Sequence, residues 1–275
     1  METDNHLHPR RALLGGAFVL GLCALNRVLT ASDPLPAGGR IPLPAAGSAS
    51  PHLAARPRPP ASASASPSPG AAGSRHRAPR TVTYTLPPDR REIALSFDDG
   101  PSAEYTPGIL EVLRRNGVRA TFCVIGRNAV EHPDLLRAVT DAGHLIANHS
   151  WSHAQLTGLP EQEAREELSR TSDVIERTLG APPVIARAPY GDWNDATLRI
   201  CAELGMSPLG WSVDTDDWEM PGVARIVRTV MAEVRPGSVI LSHDGGGNRV
   251  QSISALAAYL PRLLDAGYRP VLPTM

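Results

Sequence analysis

The stretch EIALSFDDG, residues 92–100, joins a short run of strand-forming residues to two adjacent carboxylates, Asp98 and Asp99. The run is apolar enough for a strand buried on both faces, as in a parallel sheet. Residues 105–118 follow with apolar side chains at helical spacing and an Asn-Gly stop. A strand that leads into a helix and then into a further strand is the unit of an α/β fold.

The same alternation continues to the C-terminus. Strands are predicted at residues 120–126, 144–149, 207–214, 238–243 and 269–273, with residues 183–191 as a strand running into a loop. Helices are predicted at residues 133–143, 160–180, 195–205, 223–234 and 251–267. This pattern predicts mostly parallel strands, and either a doubly wound sheet or a barrel satisfies it. No G-x-G-x-x-G follows the first strand, so the usual dinucleotide fingerprint is absent.

The N-terminal part of the 275 residues has a different composition. Arg10 and Arg11 precede an apolar run at residues 12–25, which is shorter than the roughly 20 residues of a membrane span. Residues 1–30 are therefore predicted to be a signal peptide, with an uncleaved membrane anchor as the alternative. Residues 31–80 are rich in Pro, Ala and Ser and are predicted to be a disordered linker. Residues 81–275 are long enough for one domain.

Net charge and cysteine content give information on binding partners and on disulfide bonds. The net charge is -1, which gives no indication of a nucleic-acid partner. Beyond Cys23, the cysteines are Cys123 and Cys201, and the sequence allows either a disulfide or two buried thiols.

The stretch HSWSH holds two histidines four positions apart, His149 and His153. On a helical turn or in a tight turn, two imidazoles at this spacing can converge on one metal ion. The alternative is a chance spacing on a polar surface, and a third ligand is needed to decide.

Polar residues follow the ends of five predicted strands. In parallel α/β folds and barrels, the carboxyl ends of the strands share one rim, where sites are built. This placement favours a metal site over a chance spacing. The residues on the rim are Asp98 and Asp99; His149 and His153; Arg187, Pro189 and Tyr190; Asp214, Asp217 and Trp218; and His243 and Asp244.

Two adjacent carboxylates can divide two tasks. Two imidazoles and one carboxylate form a ligand set that leaves a position open on zinc, so either Asp98 or Asp99 can complete it while the other serves as a base. Taken singly, Asp99 could instead cap a helix, and His243 or Trp218 could belong to the core. The glycines at 245–247 lack the residues of a phosphate-binding loop and are interpreted as a flexible turn.

Five motifs occur in the order of one known family: SFDDGP, HSWSH, RAPYG, DTDDW and LSHD. Over residues 90–273 the chain resembles the polysaccharide deacetylases, also called carbohydrate esterase family four. Ser96 replaces a Thr that is common in the family. The resemblance implies a distorted (β/α)7 barrel with its site at the C-terminal rim of the strands.

The resemblance also implies roles for individual residues. Asp99, His149 and His153 would bind a divalent metal, usually zinc. Asp98 would be the general base that deprotonates the attacking water. His243 would be the general acid that protonates the departing amine.

Further residues support these groups by resemblance. Arg187 would be the partner of the base, and Asp217 would be the partner of the acid and would raise its pKa. The backbone N–H of Tyr190 would stabilise the oxyanion together with the metal. Leu241 and Trp218 would line an apolar pocket for the acetyl methyl group, and Asp214 has no clear role.

The expected activity is metal-dependent removal of N-acetyl groups from N-acetylglucosamine units of an amino-sugar polymer, either peptidoglycan or chitin. One alternative is an O-deacetylase acting on acetylated xylan, and another is an inactive carbohydrate-binding protein. We expect a secreted or cell-surface monomer, which the N-terminal segment anchors if it is not cleaved. The short rim loops predict an open groove.

Overall fold

The computed structural model describes residues 80–274, which form seven α-helices and eight strands. The helices are α1 (Thr106–Asn116), α2 (Gly126–Glu131), α3 (Pro133–Asp141), α4 (Glu161–Leu179), α5 (Asp195–Glu203), α6 (Val223–Glu233) and α7 (Val250–Asp265). The strands are β1 (Glu92–Asp98), β2 (Thr121–Val124), β3 (Leu145–Asn148), β4 (Ile185–Ala186), β5 (Ser207–Pro208), β6 (Val213–Asp214), β7 (Val239–His243) and β8 (Arg269–Pro270). The predicted segment at residues 1–30 and the predicted linker up to residue 79 lie outside the described residues.

The strands form one sheet in the order β5-β4-β3-β2-β1-β7-β6, and β8 also pairs with β1. Every strand pair is parallel. This arrangement confirms the predicted α/β fold with parallel strands, a distorted (β/α)7 barrel. Within residues 80–274, no helix is both long and apolar enough to span a bilayer.

The segment at residues 207–214 departs from the prediction of one strand. It forms two short strands, β5 and β6, which lie at opposite ends of the strand order. Between them, a Cβ atom on Gly210 would lie 2.4 Å from the Tyr84 ring, and the Gly210 N–H donates to the carbonyl of Thr83. Pro208 and Gly210 weaken strand pairing here, so the chain leaves one edge of the sheet and, within four residues, joins the other edge, as the curvature of a barrel allows. The short helix α2 was also missed, because residues up to 126 were assigned to a strand.

The first strand shows how the barrel separates its two faces. Ile93, Leu95 and Phe97 pack in the apolar cluster that includes helices α1 and α7. The alternate residue Ala94 belongs to a cluster of residues from neighbouring strands, among them Cys123. Because side chains alternate along a strand, Asp98 has the same orientation as Ala94. The strand thus places Asp98 at the end of the barrel interior.

Cys123 and Cys201 do not pair. Both are buried and free. They belong to separate apolar clusters, so the protein has two buried thiols here and not a disulfide.

Candidate metal and acid–base site

Most of the predicted rim residues line one pocket of about 480 Å3 at the carboxyl ends of the strands, whereas Arg187, Pro189, Asp217 and Asp244 are not part of its lining. β1 ends at Asp98, β6 at Asp214 and β7 at His243, whereas His149 and Arg187 directly follow β3 and β4. Parallel strands bring these chain segments to the same rim. The lining residues are Asp98, Asp99, His149, His153, Tyr190, Trp211, Asp214, Trp218, Leu241, His243, Gly246 and Arg249.

Asp99, His149 and His153 converge as a possible ligand set for a metal ion. One ligand atom from each lies within 4.8 Å of the other two. Asp99 Oδ1 is 3.5 Å from Nε2 of His149 and 3.3 Å from Nε2 of His153. The same carboxylate oxygen is buried and has no hydrogen-bond partner among the described residues. An orphaned buried oxygen facing two imidazole nitrogens fits a divalent cation.

The orientation of His149 also suits metal binding. Its Nδ1 lies 2.8 Å from the carbonyl oxygen of Arg187. Donation of the Nδ1 proton to that carbonyl leaves the lone pair of Nε2 directed at the ligand set. Burial raises the pKa of Asp99, but the nearby imidazoles of His149, His243 and His153, when protonated, together outweigh burial, so the net pKa is lowered. Asp99 is therefore ionised, as a metal ligand must be.

The two histidines lie on a loop rather than on a helical turn. Ser150 and His153 have positive φ angles of 62° and 63°, which no helix tolerates. The Ser150 N–H donates to Asn148 Oδ1, and the His153 N–H donates to Ser150 Oγ. Of the two geometries that the sequence left open, the structure has the tight turn.

Glu167 on α4 supports this loop and was missed by the sequence analysis. Its carboxylate accepts hydrogen bonds from the backbone N–H groups of Trp151 and Ser152 at 2.9 and 2.8 Å. It also accepts from the Ser152 hydroxyl at 2.9 Å. Nothing in the helical pattern of residues 160–180 distinguishes Glu167 from its acidic neighbours, so the sequence carries no signal for this contact.

Gly245 and Gly246 pack against the proposed ligand Asp99, which corrects the interpretation of residues 245–247 as a flexible turn. A Cβ atom on Gly245 would lie 2.1 Å from the Asp99 carbonyl oxygen, and one on Gly246 would lie 2.3 Å from Asp99 Oδ2. The backbone of Asp99 has a φ of 72°, and its carbonyl accepts from Asn128 Nδ2 at 2.8 Å. Gly245 and Gly246 are needed because a side chain would collide with the backbone carbonyl of Asp99 at the first position and with its carboxylate at the second.

Asp98 is held by a buried arginine. Arg187 Nη1 donates to Asp98 Oδ1 at 2.7 Å and to Ser96 Oγ at 2.9 Å. Burial lowers the pKa of Arg187, but the charge and hydrogen bond of Asp98 together with other nearby acidic groups outweigh burial, and the net pKa is raised. The second oxygen, Asp98 Oδ2, lies 3.7 Å from Nε2 of His149. Asp98 therefore has one oxygen fixed by a cation and one beside the ligand set.

His243 is held by a buried carboxylate. Its Nδ1 lies 2.6 Å from Asp217 Oδ1, and its backbone N–H donates to Asp217 Oδ2 at 2.9 Å. Ser252 donates to the same Oδ2 at 2.5 Å. Burial lowers the pKa of His243, but the hydrogen bond and charge of Asp217 outweigh burial and the net pKa is raised. With Nδ1 directed at Asp217, Nε2 is the atom available for proton transfer.

The remaining predicted residues lie around the pocket. Tyr190 has a φ of 63°, its ring packs against His153, and its backbone N–H donates to no other residue within 80–274. Leu241 is buried in the wall, whereas Trp218 is 54% exposed at the mouth. Asp214 accepts from Trp211 Nε1 and from a backbone N–H, so its contacts are local.

Asp244 was placed on the rim by the sequence but given no role. It is buried, and Thr106 Oγ1 donates to its Oδ2 at 2.5 Å. A Cβ atom on Gly100 would lie 2.3 Å from the same oxygen. Burial raises the pKa of Asp244 to about 7. Its carboxyl group thus packs under the backbone that follows Asp99.

Comparisons with known proteins agree with this geometry. Residues 85–209 match the polysaccharide deacetylase family model. A peptidoglycan-N-acetylglucosamine deacetylase of Bacillus cereus is 38% identical over 194 residues, which are 70% of each chain. A chitooligosaccharide deacetylase of Rhizobium leguminosarum bv. trifolii is 39% identical over 191 residues, covering 66% of this chain and 89% of the relative.

Solved structures give the same result. The fold superposes with a TM-score of 0.67 on the crystal structure of the peptidoglycan N-acetylglucosamine deacetylase Bc1960, at 36% identity over 68% of this chain and 88% of that one. The structure of a family 4 carbohydrate esterase from Streptomyces lividans, in complex with acetate, superposes with a TM-score of 0.63 at 34% identity. The match covers 66% of this chain and 93% of that one. The chain belongs to the polysaccharide deacetylase family.

Proposed function

We propose that this protein is a metal-dependent hydrolase that removes N-acetyl groups from N-acetylglucosamine units of a polysaccharide, of the peptidoglycan or chitin type, and releases acetate. One observation carries the proposal: Asp98, whose Oδ1 is bound by Arg187 and whose Oδ2 is not, and His243, which is paired with Asp217, line the same pocket as the Asp99–His149–His153 ligand set. The activities named for the relatives support the same substrate class.

The metal is proposed to be zinc, because two imidazoles and one carboxylate are a typical set at catalytic zinc sites that keep an open position. A divalent ion held by Asp99, His149 and His153 supplies a Lewis acid that draws electron density from oxygen. The family resemblance supports a divalent metal, and the choice of zinc rests on the ligand chemistry alone.

The protein's own groups would move the protons. Asp98 would accept the proton of the attacking water through Oδ2, because Oδ1 is engaged by Arg187. The N–H of Tyr190 would donate to the oxyanion that forms on the acetyl group. His243 would then donate its Nε2 proton to the sugar nitrogen while Asp217 holds Nδ1. The last transfer matters because an amine anion is a very poor leaving group.

Substrate contacts follow from the lining of the pocket. Leu241 in the wall and Trp218 at the mouth would enclose the methyl of the acetyl group. The exposed rings of Trp218 and Tyr190 would offer apolar surface to the sugar faces outside the pocket.

An O-deacetylase acting on acetylated xylan is the second candidate function. The ligand set and Asp98 would serve an ester as well as an amide. An alkoxide leaves more readily than an amine anion, so an ester needs the acid less. The buried support of His243 by Asp217 and Ser252 favours the amide. An inactive carbohydrate-binding protein is disfavoured because the ligand set, the base and the acid are all retained.

We also propose that the protein is exported. The basic and apolar pattern of residues 1–30 supports a signal peptide or anchor, and the composition of residues 31–80 supports a linker. A secreted or cell-surface location would follow, with the domain reaching a wall polymer, and we propose that the protein acts there as a monomer.

The test is acetate release by the full chain from N-acetylglucosamine oligomers, peptidoglycan and acetylated xylan, measured in parallel. Zinc-loaded protein should release acetate from an amino-sugar polymer, and chelator-stripped protein should not. Release from xylan alone would transfer the assignment to an ester hydrolase. No release from any of the three would support a binding protein.

A further inference from the structure

The loop that carries His149 and His153 is held by side chains. Its four successive backbone N–H groups at residues 150–153 all donate to side-chain oxygens, at 2.8 to 3.0 Å. In chain order, the acceptors are Asn148 Oδ1, Glu167 Oε2 for two N–H groups, and Ser150 Oγ. Within residues 80–274, none of the four donates to a backbone carbonyl. Since buried backbone N–H groups need acceptors, the shape of the loop depends on these side chains.

Among these acceptors, Glu167 is the one that reaches the loop from another element. Asn148 and Ser150 belong to the loop or to the end of β3, whereas Glu167 lies on α4, 15 and 16 residues after the N–H groups that it binds. Its Oε1 also accepts from the Ser152 hydroxyl at 2.9 Å. These three contacts lie between the two histidines in sequence, and the imidazole centroids are 5.1 Å apart. Glu167 thus fixes the backbone that sets the separation of the two proposed ligands.

Helix α2 holds the opposite side of the same loop. The N–H groups of Gly126 and Arg127 donate to the carbonyls of Ser150 and Trp151 at 3.0 and 3.1 Å. A further contact comes from Arg170, one turn after Glu167, whose guanidinium carbon lies 3.9 Å from the centre of the Trp151 ring. The Arg170 contact is exposed, so we expect it to matter less than the hydrogen bonds to the carboxylate.

We propose that Glu167 is a positioning residue for the metal, which holds residues 149–153 in the shape that binds the ion before the ion arrives. Hydrogen bonds from backbone N–H groups to a carboxylate are charge-assisted and stronger than neutral ones. A loop that is already ordered loses less conformational entropy on binding, which raises affinity. Glu167 does not line the pocket, so its effect passes through His149 and His153. This inference rests on the metal site of the proposed function.

The experiment measures the zinc affinity of the full chain by competition with a chromogenic chelator. Glu167→Ala removes all three hydrogen bonds, so the affinity should fall roughly tenfold or more, as when other partners of metal ligands are lost. Glu167→Gln preserves the contacts, because its amide oxygen can accept from both N–H groups and its amide nitrogen can donate to the Ser152 hydroxyl. The Gln variant should therefore recover most of the affinity that the Ala variant loses.

Glu163→Ala is the matched control. Glu163 lies one turn earlier on α4 and is exposed, so its replacement removes the same charge from the helix without removing a contact to the loop. Its zinc affinity should match that of the wild type. Equal affinities in Glu167→Ala and Glu163→Ala would overturn the inference. An affinity as low in Glu167→Gln as in Glu167→Ala would also overturn it, because the charge and not the hydrogen bonds would then be responsible.

Hydrogen exchange on the metal-free chains, followed by mass spectrometry, separates loop order from overall stability. Peptides that cover residues 149–153 should exchange faster in Glu167→Ala than in the wild type, whereas peptides from β1 and β7 should be unchanged. Faster exchange throughout the domain would indicate a general loss of stability and would overturn the specific role. A wild type that binds no zinc would contradict the proposed metal site itself, and this inference with it.

Discussion

The two sides of the pocket hold their ionisable groups in different ways. The metal side, consisting of Asp98, Asp99, His149 and His153, relies on loops with positive φ angles and on close backbone packing. The acid side, consisting of His243, Asp217 and Ser252, relies on hydrogen bonds from a strand end and a helix.

The two sides differ in which polar atoms are left without a hydrogen-bond partner. On the acid side, both oxygens of Asp217 accept hydrogen bonds, and His243 has one free nitrogen. On the metal side, Asp99 Oδ1 is buried without a partner in the described chain. A fully bonded pair keeps a proton in place, whereas converging unpaired ligand atoms are suited to a cation. The predictions below test each side separately.

Loss of the buried cation beside Asp98 should have the largest effect. Arg187→Met should lower the free energy of unfolding by about 3–5 kcal/mol, because it leaves an unpaired buried carboxylate. Arg199 is the matched control, since its pair with Glu161 has a similar distance of 2.6 Å but is exposed. Arg199→Met should leave the midpoint of urea denaturation close to that of the wild type. Equal costs for the two variants would contradict the role given to burial.

The effect of removing the general acid His243 on the rate should depend on the leaving group of the substrate. His243→Asn should lower kcat on N-acetylglucosamine oligomers roughly 10²-fold, because the amine must leave with a proton. An aryl acetate leaves as a stable phenolate, so its hydrolysis should fall much less. Parallel assays on the two substrates measure this difference. A similar loss on both would indicate that His243 does not protonate the leaving group.

Crowding Asp99 should weaken metal binding. Gly246→Ala would place a Cβ atom 2.3 Å from Asp99 Oδ2, so zinc affinity, measured by competition with a chromogenic chelator, should fall roughly tenfold. Gly117→Ala is the control, because Gly117 has a similar φ of 64° and no atom within 4 Å of the new Cβ. Both variants should lose about 1–2 kcal/mol of stability from the left-handed backbone. Unchanged zinc affinity in Gly246→Ala would argue against Asp99 as a ligand.

The smallest expected effect is a shift in the pH dependence of kcat when Asp217 is replaced. Asp217 raises the pKa of His243, so the histidine stays protonated to higher pH than it would alone. In Asp217→Asn that support is lost, the imidazolium loses its proton at lower pH, and the alkaline limb of the kcat profile should move to lower pH. If the alkaline limb of the profile stays in place or moves to higher pH, Asp217 does not raise the pKa of His243.

The regular parts of the domain were predictable because their patterns are local. The apolar run before Asp98 and the helical spacing of residues 105–118 fix strand and helix without reference to distant contacts. The strand ends then place the polar residues on one rim, which is how Asp98, His149 and His243 were found.

The rest depends on contacts between distant parts of the chain. Pro208 and Gly210 are a local signal for the split of residues 207–214, but the packing of Gly210 against Tyr84 depends on a distant part of the chain. Glu167 reaches the histidine loop from a helix whose acidic residues look alike in sequence. These features have no periodicity, so a single sequence cannot reveal them.

The central claim is that two adjacent aspartates divide two tasks, and one measurement tests it directly. Zinc content and acetate release would be determined on the same preparations of the wild type, Asp98→Asn and Asp99→Asn. We predict that Asp98→Asn retains one zinc per chain while kcat falls roughly 10³-fold, and that Asp99→Asn loses the zinc. Loss of zinc in Asp98→Asn, with zinc retained in Asp99→Asn, would contradict the account.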